Sequence, residues 1–120
     1  MRVPEFRAYD KDKKIMIHDF DQSVVKHYDM KWGESIHLKV YTIGLAYGTL
    51  SEWTGEYDIK NTKVFEDDVL ADEDGVLYVV SLKDSKFVAT ELGSKDWYFL
   101  DDMDFKVVDN THQDENFNMY

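Results

Sequence analysis

Apolar and polar residues alternate from the start of the chain. Phe6 and Ala8 alternate with Arg7 and Tyr9, and Ile15 and Ile17 alternate with Met16 and His18. A period of two places successive side chains on opposite faces of a strand. Between the two runs stands the polar stretch Asp10-Lys11-Asp12-Lys13, so the pattern predicts an N-terminal β-hairpin. Gln22 to Met30 reads two ways: Val24, Val25 and Tyr28 fit one turn of helix, whereas paired valines favour a strand. Ser35 to Thr42 predicts a half-buried strand, with Ile36, Leu38 and Val40 on one side and His37, Lys39 and Tyr41 on the other.

Strand signals then follow in quick succession. Val69-Leu70 precedes the acidic turn Asp72-Glu73-Asp74-Gly75, and Val76 to Leu82 is rich in β-branched and aromatic residues. Lys83 to Lys86 turns the chain, Phe87 to Leu92 returns, and Gly93 to Asp96 turns again into Trp97 to Leu100. Phe105 to Val108 closes the series. Short strands with tight turns predict a mainly β fold: a small bent-sheet or barrel-like domain with an N-terminal β-hairpin and little helix. Pro4 is the single proline, and no Gly/Ser linker or repeat divides the sequence, so one domain over residues 1–120 is expected. From about Asn110 the tail is polar and is expected to fray.

Composition narrows the function classes. With 120 residues and 43% hydrophobic residues, the chain can bury one core. It has no cysteine, which removes disulfides, thiol nucleophiles and thiolate metal sites. No stretch is apolar enough to cross a membrane, and Glu5, Arg7 and Asp10 interrupt any leader-like segment, so a cytoplasmic protein is expected. Residues 1–50 hold eight Lys/Arg against seven Asp/Glu, while residues 51–120 hold six against eighteen. The net charge of −11 therefore arises in the C-terminal part, and a field of that sign repels nucleic-acid phosphates.

Three blocks, taken in order, resemble the YopX family of phage and prophage proteins. Phe6-Arg7-Ala8-Tyr9-Asp10, followed by Met16, is similar to the family's F-R-A-aromatic-D opening and the methionine of its next strand. Trp53-Thr54-Gly55 and then Val64-Phe65-Glu66-Asp67-Asp68-Val69 resemble its central T-G and I-[YF]-E-G-D-[IV] segment. Val108 to Asn116 resembles its closing I-G-N-I-[YH]-E-N-P segment. Asp67 and Asp109 stand at the family's glycine positions, and the closing proline is absent. The resemblance implies a β-rich fold, a phage context and a bacterial host cytoplasm, with no enzymatic activity to carry over. Arg7, Trp53 and Asp68, one from the first block and two from the second, are the candidate binding residues.

Candidate chemistry is sparse. His18, His27, His37 and His112 show no ligand spacing, and Asp72 to Gly75 lacks the third acid of a calcium loop, so no metal, cofactor or catalytic residue is assigned. Five Asp-x-Lys pairs, at Asp12, Asp29, Asp58, Asp84 and Asp104, leave a metal-dependent nuclease as an alternative. Arg7, Tyr9, Trp32, Tyr41 and Trp53 could supply stacking and phosphate contacts to nucleic acid on an N-terminal face, although core or interface packing is the commoner use of such aromatic rings. Gly44-Leu45-Ala46-Tyr47-Gly48 lacks a phosphate-loop lysine and reads as a bend or close backbone approach within the sheet. The leading expectation is a non-catalytic binding or self-assembling module with a homo-oligomer, or a host or phage protein, as partner. The alternative from charge is an acidic surface that imitates DNA, with carboxylates clustered at Glu66-Asp67-Asp68, Asp72-Glu73-Asp74 and Asp101-Asp102-x-Asp104.

Overall fold

The computed structural model describes residues 4–19 and 21–113. The fold is mainly β, with 40% of these residues in strands and 19% in helices, well below the third that an average globular protein has. The chain forms two compact units, Met1–Glu52 and Trp53–Tyr120.

The first unit opens on the expected hairpin. Strands β1 (Phe6–Asp10) and β2 (Ile15–His18) pair antiparallel, with Ala8 opposite Ile17. The Asp10 carboxylate accepts the amides of Asp12 and Lys13 at 2.9 and 3.0 Å and the Tyr28 hydroxyl at 2.6 Å. Burial alone raises the Asp10 pKa, but these hydrogen bonds and the Lys13 charge outweigh it and hold the group below the usual carboxylate range. Two helices follow, α1 (Ser23–Tyr28) and α2 (Ile36–Tyr47). Val24, Val40 and Ile43 pack with Ala8 and Ile17 into one apolar cluster.

Helix α2 corrects the strand expected over Ser35 to Thr42. The residues facing the core, Ile36, Val40, Ile43, Gly44 and Tyr47, recur at helical spacing, and Leu38, which strand alternation would bury, is 64% exposed. Both ends carry helix punctuation. The Ser35 hydroxyl accepts the Leu38 amide, and Gly48 ends the helix at φ 68°, where its N–H reaches the Gly44 carbonyl. The glycine run expected as a bend in the sheet is instead the last turn of this helix and its cap. The close approach is nevertheless present, because Gly44 lies against Leu50. The Gln22 to Met30 ambiguity resolves to helix.

Strand β3 (Ser51–Tyr57) begins beside β1, where Arg7 pairs with Ser51. Its later residues belong to the second unit, where Trp53 pairs with Phe65 of β4 (Lys63–Phe65). Neither β3 nor β4 was expected as a strand. Five further strands form an antiparallel sheet that curls into a half-barrel: β5 (Asp68–Ala71), β6 (Leu77–Lys83), β7 (Lys86–Glu91), β8 (Trp97–Phe99) and β9 (Lys106–Asn110), in the order β8-β7-β6-β5-β9. The expected turns at Asp72–Gly75, Lys83–Lys86 and Gly93–Asp96 all join these strands, and Gly75 takes φ 82°. Val64, Leu70, Tyr78, Val80, Ala89, Leu100 and Phe105 form the core of this unit.

Asp58 ties the β3–β4 turn to β9. Its carboxylate accepts the amides of Lys60 and Thr62 at 2.9 and 2.8 Å, and the Val107 amide at 2.9 Å. Burial alone raises its pKa, but the three amides outweigh burial and hold the group below 3.8. A depressed folded pKa contributes stability above the unfolded value, and that contribution is lost as pH falls through the folded one. Asp58→Asn is therefore expected to destabilise by about 1–2 kcal/mol at pH 7. The difference from wild type should shrink below about pH 4. Urea unfolding at pH 7, 5 and 3 measures it; a gap that widens at pH 3 would refute the account.

Candidate functional site

The two sequence blocks nearest the middle and the end of the chain meet in the second unit. Asp68, at the start of β5, is 1% exposed, and its carboxylate accepts the Phe65 amide at 2.8 Å and the Asn110 side-chain amide at 3.3 Å. The Asn110 amide also reaches the Asp67 carbonyl, which accepts the Thr111 N–H. His112 Nε2 lies 2.8 Å from Asp67 Oδ2. Asn110 and Thr111 are thus buried and bonded where the tail was expected to begin fraying, and residues 114–120 lie outside the described residues. Thr54 fastens the same region, its hydroxyl donating to the Val64 carbonyl at 2.8 Å.

The three candidate binding residues fall in different settings. Asp68 and Arg7 are buried. Trp53 is half-buried and packs beside Lys63, whose Nζ lies 4.7 Å from the ring centre. The β3–β4 pairing brings Trp53, Phe65 and Asp68 together; Arg7 belongs to the first unit. Of the rings considered for stacking, Tyr9 is half-buried, and Trp32 and Tyr41 are exposed.

The second unit also carries an open concavity of about 400 Å³ whose lining includes Asp72, Glu73, Asp74, Asp102, Asp104, Tyr78 and Tyr98. Two of the three acidic clusters therefore share one surface. The third, at Glu66 to Asp68, is instead engaged in the junction described above. Asp72 organises the rim: its carboxylate accepts the amides of Asp74 and Val76, both at 2.9 Å, and the Tyr78 hydroxyl at 2.8 Å. The Tyr78 hydrogen bond leads in lowering the Asp72 pKa, and donating it pushes the Tyr78 hydroxyl up to about 12. Tyr98, on edge strand β8, meets Tyr78 edge to face at 6.0 Å. Glu73, Asp74, Asp102 and Asp104 are exposed. Among the described residues, no three His, Asp or Glu side chains converge to hold a metal ion. Carboxylates attract guanidinium and ammonium groups, and of the two rings Tyr98 is exposed beside them whereas Tyr78 is buried.

The sequence matches the YopX protein family over residues 5–116, nearly the whole chain. The chain belongs to the YopX family. No curated protein matches it. For a YopX protein, the position that resembles a family glycine is informative: Asp67 adopts φ 68°, the left-handed conformation that glycine enters freely and aspartate tolerates better than most residues. The backbone geometry is kept without glycine, and the aspartate side chain adds the His112 interaction. At the second glycine position, Asp109, φ is not positive, so glycine is not required there.

The five Asp-x-Lys pairs all fall at element ends or turns. Asp58 is engaged by three backbone amides, and Asp12 accepts a hydrogen bond from the Tyr47 hydroxyl. Sequence reasoning missed Tyr78 and Tyr98 as members of a site. Tyr98 was legible as part of a strand, but its edge position depends on pairing that alternation does not encode.

Proposed function

We propose that this YopX protein is a phage or prophage accessory protein that acts without catalysis, as a binding module for a basic protein. The observation that carries this reading is the concavity where carboxylates from two turns surround Tyr78 and Tyr98. The exposed Tyr98 beside carboxylates is an interface composition suited to arginine-rich surfaces. The −12 balance of residues 51–120 adds a long-range field that steers such a partner inward.

The test compares capture of host-lysate proteins by immobilised wild-type protein and by the Glu73→Lys, Asp74→Lys, Asp102→Lys triple variant. The expected result is a set of basic proteins that wild type retains, that elutes as salt rises from about 0.1 to 0.5 M, and that the variant loses. Displacement by duplex DNA would identify the partner's nucleic-acid site as the one occupied. Capture that charge reversal leaves unchanged would overturn the proposal.

A further inference from the structure

The outward face of α2 is apolar in a protein that is 32% charged. Leu38, Tyr41 and Leu45 are 64%, 40% and 66% exposed, and Trp32, in the turn ahead of the helix, is 99% exposed. Lys39 is the only Lys, Arg, Asp or Glu among the helix's twelve residues. Large apolar side chains exposed together on one face ordinarily mark a contact surface.

We propose that this face is the interface of a two-fold homodimer in which α2 packs antiparallel against its own copy. Three observations select a second copy as the occupant. The first is self-complementarity. The exposed stripe Leu38, Tyr41, Thr42, Leu45 reads leucine–polar–polar–leucine in either direction, as a two-fold, isologous interface requires. Pairing about the midpoint of Tyr41 and Thr42 sets Leu38 against Leu45 of the partner subunit, twice. A groove of about 410 Å³, lined by Gly33, Glu34, Ser35, Leu38, Lys39 and Thr42, lies beside Leu38, where that leucine arrives.

The second observation is charge. Copies that each carry −11 repel, and nearly all the excess acid lies in residues 51–120. Helix α2 itself contains no Asp or Glu, so pairing two copies along it brings no carboxylate of the helix against another. The third is desolvation and area. The Thr42 hydroxyl already donates to the Leu38 carbonyl at 2.8 Å, so covering it strands no donor. The four large side chains expose roughly 550 Å² per protomer, taking aromatic areas of about 150–250 Å² each. That is most of the roughly 800 Å² that a standard interface buries per partner.

The dimer does not depend on the acidic concavity, and its test is separate. Wild type should sediment as a dimer at about 100 µM. Its dissociation constant should fall as salt screens the acidic halves. Leu38→Glu and Leu45→Glu, at exposed positions, should leave the circular dichroism unchanged and weaken the dimer at least roughly a hundredfold by burying unpaired charge. Thr42→Cys places the sole thiol of the chain beside the two-fold axis, and mild oxidation should yield a covalent dimer that Leu45→Glu abolishes. A wild-type monomer at that concentration, a dimer untouched by both glutamates, or a wild-type dimer in which Thr42→Cys fails to cross-link would overturn the proposal.

Discussion

Gly44→Ala is expected to destabilise the protein by about 1–3 kcal/mol, against the rule that alanine favours a helix interior by up to about 1 kcal/mol over glycine. The reason is the approach of α2 to the residue that leads into β3. A Cβ at position 44 would stand 2.6 Å from Leu50 Cβ, 2.8 Å from its Cδ1 and 2.9 Å from its Cα. The last of these is backbone, which cannot swing aside as a side-chain tip would. The Gly44 carbonyl also accepts the Gly48 and Thr49 amides, and Thr49 in turn exchanges hydrogen bonds with the Tyr9 backbone, so displacing the helix end disturbs β1 as well. Valine should be worse than alanine. Equilibrium denaturation measures the effect, and a Gly44→Ala protein as stable as wild type would refute it. In a double-mutant cycle with Leu50→Ala, the two losses should be less than additive, since truncating Leu50 opens part of the space that the new methyl needs.

The second large effect is expected at Asp68. Asp68→Ala leaves the Phe65 N–H buried without this acceptor, at about 1–3 kcal/mol, and removes one of the two acceptors of the Asn110 amide, at about 1 kcal/mol. A total of about 2–4 kcal/mol corresponds to a lowering of Tm by roughly 10 °C for a chain of this size. Asp68→Asn keeps the shape and one acceptor oxygen, so its loss should be about half. Thermal melting followed by circular dichroism decides this. An alanine variant within about 0.5 kcal/mol of wild type would show that the junction of β5 with the end of β9 does not depend on this carboxylate.

Much of the half-barrel was legible because each strand from β5 to β9 is a local run bounded by turn residues. Asp72 to Gly75 and Lys83 to Lys86 show this best: their polar sequences mark the reversals, and the flanking β-branched and aromatic residues mark the strands. Helix α2 was misread because a short window holding Ile36, Leu38 and Val40 fits a period of two. The next residues, through Tyr47, and the caps at Ser35 and Gly48 carry the period that the structure adopts. Strand β3 was hidden because Glu52, Thr54 and Gly55 give it neither strong alternation nor β-branched density. At the candidate site, the carboxylates were visible as clusters but their grouping was not. Asp72 to Asp74 and Asp102 to Asp104 share a surface because the sheet curls, whereas Asp68 turns inward to satisfy a backbone amide. Burial of a carboxylate is a tertiary outcome that turn propensity cannot anticipate.

Asp58 also stands at the rim of the open sheet. A half-barrel that does not close leaves two outer strands with unpaired backbone groups, and such rims are templates on which other chains polymerise. Here β8 is only three residues long, with Asp96 before it and Asp101 after it. On the other rim, the outward N–H of Val107 is already occupied by the Asp58 carboxylate, and Ile59 donates to the Phe105 carbonyl nearby. A loop carboxylate thus occupies a donor that an incoming strand would otherwise use. Protonating Asp58 weakens its hold on the Val107 amide as well as on this turn, so acid would free part of the edge as it loosens the loop.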